Sequence, residues 1–281
     1  MTVKITSDST CDLSEEILKR FGISVIPLTV LLGEEGGRDG IEVSPEDIYR
    51  YIDSTGNLPK TSAVNAEEYK EFLEGFLGAH EAVIHFSIGQ HFSSSFQNAS
   101  LSAGLLGNVF VIDSENLSTG QGLLVVRAAE MASAGSSASE ICEEIKALIP
   151  KVESSFVIDR LDNLYKGGRC SGLAALGANI LKIKPCIEVL EGEMSPTHRY
   201  RGLFDHVIRQ YVRDRLEGRS DIDTGRIFVT HTKCSESLVE EVKALVRELC
   251  PGAGEILETV AGSTVTTHCG ANTLGVLFIR K

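Results

Sequence analysis

Two spacings of apolar positions alternate through the first half of the chain. Residues 3–7 form a short β-rich run, and residues 24–32 form a longer one that reads as a buried strand. Between them, Asp12 or Ser14 is placed to cap a helix ending at Gly22, because a short oxygen acceptor suits the first turn and glycine the left-handed residue after the last. Ser44-Pro45-Glu46-Asp47 opens a second helix, with a capping serine, proline at the first helical position and acids in the first turn. Asn65-Ala66-Glu67-Glu68 repeats the signal as a capping box. Strand-like runs at 82–88 and 109–113 flank a helix predicted over 95–106, and two more helices are predicted over 120–134 and 139–149. Strands alternating with helices imply a mostly parallel, three-layer α/β domain.

The second half follows another pattern. A strand is predicted over 156–161 and a helix over 173–183. The run 185–190, the turn Glu191-Gly192-Glu193 and the run 194–201 predict a hairpin, which requires antiparallel pairing. A charged helix over 203–217, a strand over 226–231, a helix over 237–249 and strands over 255–260 and 273–279 complete a mixed-sheet α/β domain. The expected fold is therefore α/β in two domains: residues 1–154 form a mostly parallel α/β/α domain and residues 155–281 a mixed-sheet domain.

Charge divides at the same place. Residues 1–154 carry 10 of the 27 basic and 23 of the 39 acidic side chains, and residues 155–281 carry the remaining 17 and 16. The overall charge of −12 argues against a general nucleic-acid binder, whose affinity comes from neutralising phosphates. Arg199, Arg201, Arg209, Arg213 and Arg215 make one locally basic segment, readable as a docking face or as solvated helix surface. The longest nearly unbroken apolar run, 23–32, is interrupted by Pro27 and too short to span a bilayer. The first residues lack a basic stretch followed by an apolar one, so the expectation is a cytoplasmic protein without stable membrane insertion; a monomer is the default, since nothing in the sequence sets the oligomeric state. The seven dispersed cysteines read as thiols in a reducing compartment. His231-x-x-Cys234, with Cys250 and His268-Cys269, is the strongest metal-like pattern, but no Cys-x-x-Cys pair supports it and no metal is expected.

Ligands of open α/β sheets collect at the carboxyl ends of the strands. Here those ends carry Ser7-Asp8-Ser9-Thr10, Lys60-Thr61-Ser62 before a helix, Ser93-Ser94-Ser95, and Ser114 with Ser118-Thr119-Gly120. The rim is rich in hydroxyls and helix starts, and poor in acids or bases paired with a nucleophile. Such a surface suits an anion, because hydroxyls donate without a second full charge and helix N-termini add positive partial charge. The alternative is capping, which accounts fully for Ser14 and Ser44; a single cap needs one hydroxyl, whereas 93–95 supplies three. The chain has no G-x-S-x-G, Walker A, G-x-G-x-x-G or H-E-x-x-H pattern. Gly168-Arg169-Cys170-Ser171-Gly172 has the spacing of a nucleophile elbow, but an elbow follows a strand directly and the preceding residues are of mixed polarity.

Six blocks in chain order resemble the DegV family. They are Asp8-Ser9-Thr10-Cys11-Asp12-Leu13, Thr61-Ser62, Ser93-Ser94-Ser95-Phe96-Gln97-Asn98-Ala99, Val111-Ile112-Asp113-Ser114 with Gly120-Gln121-Gly122, Leu161 to the Lys166-Gly167-Gly168-Arg169 turn, and His268-Cys269-Gly270-Ala271-Asn272-Thr273-Leu274-Gly275. Ser94 stands where the family pattern has glycine, and Ala271 where it has proline.

The resemblance implies a long-chain fatty acid, such as palmitate, stearate or oleate, bound between the two domains without any other cofactor. It implies a carboxylate held by Thr61, Ser93 and His268, with Ser62, Ser94 and Ser95 beside them. Thr61 and Ser93 belong to the hydroxyl rim independently; His268, alone, reads as a polar residue in a glycine-rich turn. The resemblance further implies a carrier rather than an enzyme, presenting its acid to a fatty-acid kinase, with Arg169, Arg199 and Arg201 as contacts to that partner. A Ser- or Cys-dependent acyl hydrolase or transferase using Ser93 or Cys170, and a binder of another small anion, are the competing readings. An aliphatic tunnel with hydroxyls at its mouth would suit an acyl chain, since each buried methylene contributes about 0.8 kcal/mol and a desolvated carboxylate must be hydrogen-bonded.

Overall fold

A computed structural model describes residues 2–170 and 183–281. The first half runs β1 (Val3–Asp8), α1 (Glu15–Phe21), β2 (Ser24–Ile26), β3 (Thr29–Leu32), β4 (Glu35–Arg38), α2 (Pro45–Thr55), β5 (Lys60–Ser62), α3 (Ala66–Leu77), β6 (Ala82–Ser87), α4 (Ser95–Ala103), β7 (Val109–Asp113), α5 (Ser118–Ser133) and α6 (Ala138–Leu148). The second half runs β8 (Val152–Ile158), α7 (Asp162–Gly167), β9 (Lys184–Leu190), β10 (Glu193–Tyr200), α8 (Phe204–Leu216), β11 (Arg226–Thr232), α9 (Glu236–Leu249), β12 (Glu255–Val260), α10 (Ser263–Cys269) and β13 (Thr273–Ile279). The helix expected over 173–183 lies outside the described residues, save its last position. Among the described residues no helix is long and apolar enough to cross a membrane.

The local signals act as expected where they are self-contained. Ser14 accepts from the Ile17 amide and Gly22 closes α1 at φ 64°. Ser44 with Asp47, and Asn65 with Glu68, form complete capping boxes on α2 and α3. Glu191 and Gly192, both at positive φ, turn β9 into β10.

β2-β1-β6-β7 is an all-parallel sheet, and β10-β9-β8-β13-β11-β12 is a mixed sheet in which β11 and β12 pair in parallel. A third, antiparallel sheet, β4-β3-β5, is an addition to the sequence-based picture. It arises because residues 24–32 are two strands rather than one: β2 joins the parallel sheet and β3 the small one. Pro27 lies between them, and without an N–H it cannot continue a ladder.

Helix α5 is the shared layer. Its residues from Ser118 to Val126 are all buried, and they pack with Ile5, Ile84 and Phe86 of the parallel sheet and with Phe228 and Leu277 of the mixed one. The buried polar residues at its start, Ser118, Thr119 and Gln121, are hydrogen-bonded to other side chains, which lets this end of the helix lie inside. Gly120 permits its close approach: a Cβ there would lie 2.0 Å from Ser154 Oγ. The far face of the parallel sheet packs on α3 and α4 and that of the mixed sheet on α8 and α9. The expected boundary at residue 154 falls within β8, whose first four residues include two buried serines. Ser154 donates to Asn116 Oδ1 at 2.5 Å, and Ser155 Oγ lies 2.8 Å from Tyr211 Oη.

Candidate functional site

A cavity of about 290 Å³ lies where β5, the β6–α4 loop, the end of α7 and helix α10 meet. Thr61, Ser62, Ser93, Ser94, Arg169 and His268 all line it, although 207 residues separate Thr61 from His268. The remaining wall is mainly apolar, including Leu28, Ile88, Phe92, Leu164 and Met194. Among the described lining residues Arg169 is the one formal charge at neutral pH. A smaller apolar pocket of about 30 Å³ shares Leu117, Val265 and Cys269 with the cavity and reaches Phe156, Val189 and Leu277.

His268 occupies the last turn of α10, not a glycine-rich turn. Its Nε2 lies 2.9 Å from Thr61 Oγ1, while Nδ1 is buried without a partner among the described residues. Burial, then the positive charge of Arg169, pushes its pKa down to about 4, so the ring is neutral at pH 7. A neutral ring carries one N–H. If that proton sits on Nε2 and is donated to Thr61 Oγ1, the threonine proton is left free for a ligand. Gly167 makes room for the ring, since a Cβ there would lie 2.6 Å from Nδ1. The next residue, Gly168, caps α7 at φ 69°. The Lys166-Gly167-Gly168-Arg169 turn thereby brings Arg169 into the cavity wall beside the histidine.

Ser93 and Ser95 repeat this arrangement. Ser93 Oγ accepts from the Ser95 amide at 3.2 Å and lies 2.9 Å from Ser95 Oγ. Ser95 is wholly buried behind Ser93 and does not line the cavity. Donation from the Ser95 hydroxyl to Ser93 likewise frees the Ser93 proton. Ser94, at the head of α4, makes no side-chain capping bond. Ser94 itself lines the cavity, which places the head of α4 at its wall.

Arg199, on β10, and Arg201, just beyond it, are exposed and do not line the cavity. Arg169 does, and with Phe92, Ser93 and Ser94 it also borders an outer cleft of about 840 Å³ against α4. Cys170 follows helix α7 rather than a strand and donates to the Met194 carbonyl at 3.3 Å, so the elbow geometry is not present there. His231 lies 3.4 Å from Glu258, and among the described residues no three His, Cys, Asp or Glu side chains are grouped to hold a metal ion.

Two carboxyl groups from the first half fix α10, and sequence reasoning missed both. Asp12 Oδ1 accepts from the Gly262 amide at 2.8 Å and Asp39 Oδ1 from the Ser263 amide at 2.7 Å. Asp12 also accepts from Ser118 at 2.5 Å, and Asp39 from Ser9 at 2.9 Å. Burial pushes the Asp12 pKa up to about 8. Thr264, in the first turn of α10, is a second omission: it lines the cavity, and nothing distinguishes it in sequence from its hydroxyl neighbours.

The family model described as "Uncharacterised protein, DegV family" matches residues 2–281. The chain belongs to the DegV family. A DegV domain-containing protein of Caldanaerobacter subterraneus is 30% identical over 282 residues, covering 99% of each chain. Among solved structures, a DegV family protein from Thermus thermophilus described by its fatty acid binding superposes with a TM-score of 0.87 at 27% identity, covering 100% of both chains. The Streptococcus pneumoniae Fatty Acid Kinase B3 protein, loaded with linoleic acid, shares the DegV fold with a TM-score of 0.85 at 21% identity over 100% of both chains.

Proposed function

We propose that this chain binds a long-chain fatty acid in the cavity, with the carboxylate at Thr61 and Ser93 and the acyl chain along the apolar wall. The observation that carries the reading is the convergence of Thr61, Ser93, His268 and Arg169, from four separate segments, on one cavity otherwise lined mainly by apolar side chains. His268 and Ser95 act through their neighbours, holding the Thr61 and Ser93 hydroxyls with their protons directed to the ligand. Arg169 adds the one formal positive charge. The tail extends past Leu117, Val265 and Cys269 toward Phe156 and Leu277. Each buried methylene contributes about 0.8 kcal/mol, so the tail dominates affinity and the polar groups select the head.

The fatty acid named for the Thermus thermophilus protein supports this ligand class. The linoleic-acid-loaded kinase B3 protein suggests the use: presentation of the carboxylate to a fatty-acid kinase, with Arg169 at the border of the outer cleft and Arg199 and Arg201 on the exposed surface as partner contacts. The chain is then a carrier without chemistry of its own.

Native mass spectrometry of the purified chain, followed by denaturing extraction, tests the ligand. One fatty-acid mass per chain is expected. Thr61→Ala with Ser93→Ala should weaken binding by roughly 2–4 kcal/mol, from two lost hydrogen bonds to a charged group. A folded double mutant with unchanged affinity removes the carboxylate assignment.

A further inference from the structure

Helix α10 carries four hydroxyl side chains in its first five residues, and three of them are satisfied by backbone carbonyls. Ser263 donates to Val43 O at 2.7 Å, Thr266 to Ala261 O at 3.1 Å and Thr267 to Ser263 O at 2.8 Å. Thr264 is the exception. It is 4% exposed, and among the described residues its Oγ1 has no hydrogen-bond partner. Threonine in a helix ordinarily reaches back to a carbonyl one turn earlier, as Thr267 does. A buried hydroxyl without a partner is unfavourable, and natural structures keep few of them.

Thr264 and His268 stand four residues apart on one face of α10, and both line the cavity. The adjoining pair Val265 and Cys269 lines it too and continues into the apolar side pocket. The helix thus offers the cavity one polar row and one apolar row. The polar row belongs with Thr61, which contacts His268, and the apolar row with the path of the tail.

We propose that Thr264 is a further hydrogen-bond donor to the bound carboxylate, completing with Thr61 and Ser93 a head-group site of three hydroxyls. This rests on the fatty-acid reading above. It assigns Thr264 a role in selecting acids over other long-chain amphiphiles: a carboxylate accepts several donors at once, whereas an alcohol of equal length presents a single oxygen that must also place its own proton.

The test uses the delipidated full-length chain, with palmitate and hexadecan-1-ol as probes, by displacement of a fluorescent fatty acid. Thr264→Val keeps the shape and removes the hydroxyl; Thr264→Ser keeps the hydroxyl. The expected result is roughly a 10- to 100-fold loss of palmitate affinity in Thr264→Val, a far smaller change for the alcohol, and recovery in Thr264→Ser. Wild-type affinity for palmitate in Thr264→Val overturns the proposal. So does an equal loss of acid and alcohol in both variants, which marks a packing role. A wild-type chain that binds neither probe overturns the fatty-acid reading itself, a result distinguishable from both.

Discussion

Two polar regions lie on either side of α10 and differ in how completely they are satisfied. At its N-terminus the carboxyl groups of Asp12 and Asp39, with that of Asp8 near Asp12, are buried, and each is hydrogen-bonded at both oxygens. Asp8 alone accepts from the amides of Thr10 and Ile88, the hydroxyls of Thr10 and Ser87, and Gln121 Nε2. In the cavity wall, by contrast, Thr264 Oγ1 and His268 Nδ1 have no partner among the described residues. A closed network holds backbone in place; an open one leaves capacity for something the chain does not itself supply. Both regions are polar and buried, and they differ in whether the chain itself satisfies them.

The comparison breaks first at Asp8. Asp8→Ala strands at least two buried amides, and stability should fall by about 3–5 kcal/mol, read by denaturant unfolding at constant m-value. Fatty-acid affinity in the population still folded should change little. The opposite pattern, loss of ligand with full stability, would move Asp8 into the site.

Gly167→Ala acts on the other region. The added methyl meets His268 Nδ1 and must displace the ring from Thr61. Overpacking of this kind costs about 1–3 kcal/mol, expected here in ligand affinity, measured by calorimetric titration. Unchanged binding would show that His268 does not position Thr61.

Asp12 links the scaffold to pH. Its pKa is near 3.9 in an unfolded chain and about 8 here, so the folded state holds the proton more tightly. Its contribution is full below about pH 4 and is lost as pH rises toward 8. His268 runs the other way: with its pKa lowered to about 4, its contribution is present above about pH 6.5 and lost as pH falls. Between pH 6.5 and 8 Asp12 therefore contributes a slope of up to about 1.4 kcal/mol per pH unit, in the same direction as Asp8, whose pKa burial also raises. Asp12→Asn, the neutral isostere, should flatten the stability profile in that window relative to wild type. Parallel profiles would refute the assignment.

The smallest expected effect sharpens the comparison most finely. Ser95→Ala removes a group that touches Ser93 but does not line the cavity, and it should weaken fatty-acid binding by about 1 kcal/mol. A loss as large as that of Ser93→Ala would put Ser95 in direct contact with the ligand.

Sequence legibility followed the range of the interactions involved. Ser44, Asn65 and the Glu191-Gly192 turn could be read because their partners lie within a few residues. Ser93 could be read as part of a hydroxyl rim because the strand before it is recognisable, and Thr61 because it precedes a capped helix, although strand β5 that holds Thr61 is not predicted from the sequence. Helix α10 could not: Ser263-Thr-Val-Thr-Thr-His-Cys269 is rich in β-branched residues and a poor helix former. It is helical where Asp12 and Asp39 meet its first amides, across 250 and 224 residues of chain. Ser154 and Ser155 hid the start of β8 for the same reason, since their partners Asn116 and Tyr211 are remote.

By itself, then, the sequence determined the helix caps, the hairpin, the α/β class and the hydroxyls available for an anion, because each depends on neighbours along the chain. The tertiary structure alone decided that Pro27 divides two sheets, that Thr61 meets His268, and that one of α10's four hydroxyls goes unused by the fold. Those outcomes depend on which groups folding brings within hydrogen-bond reach. Whether a buried donor is satisfied is a property of its surroundings, not of its residue type.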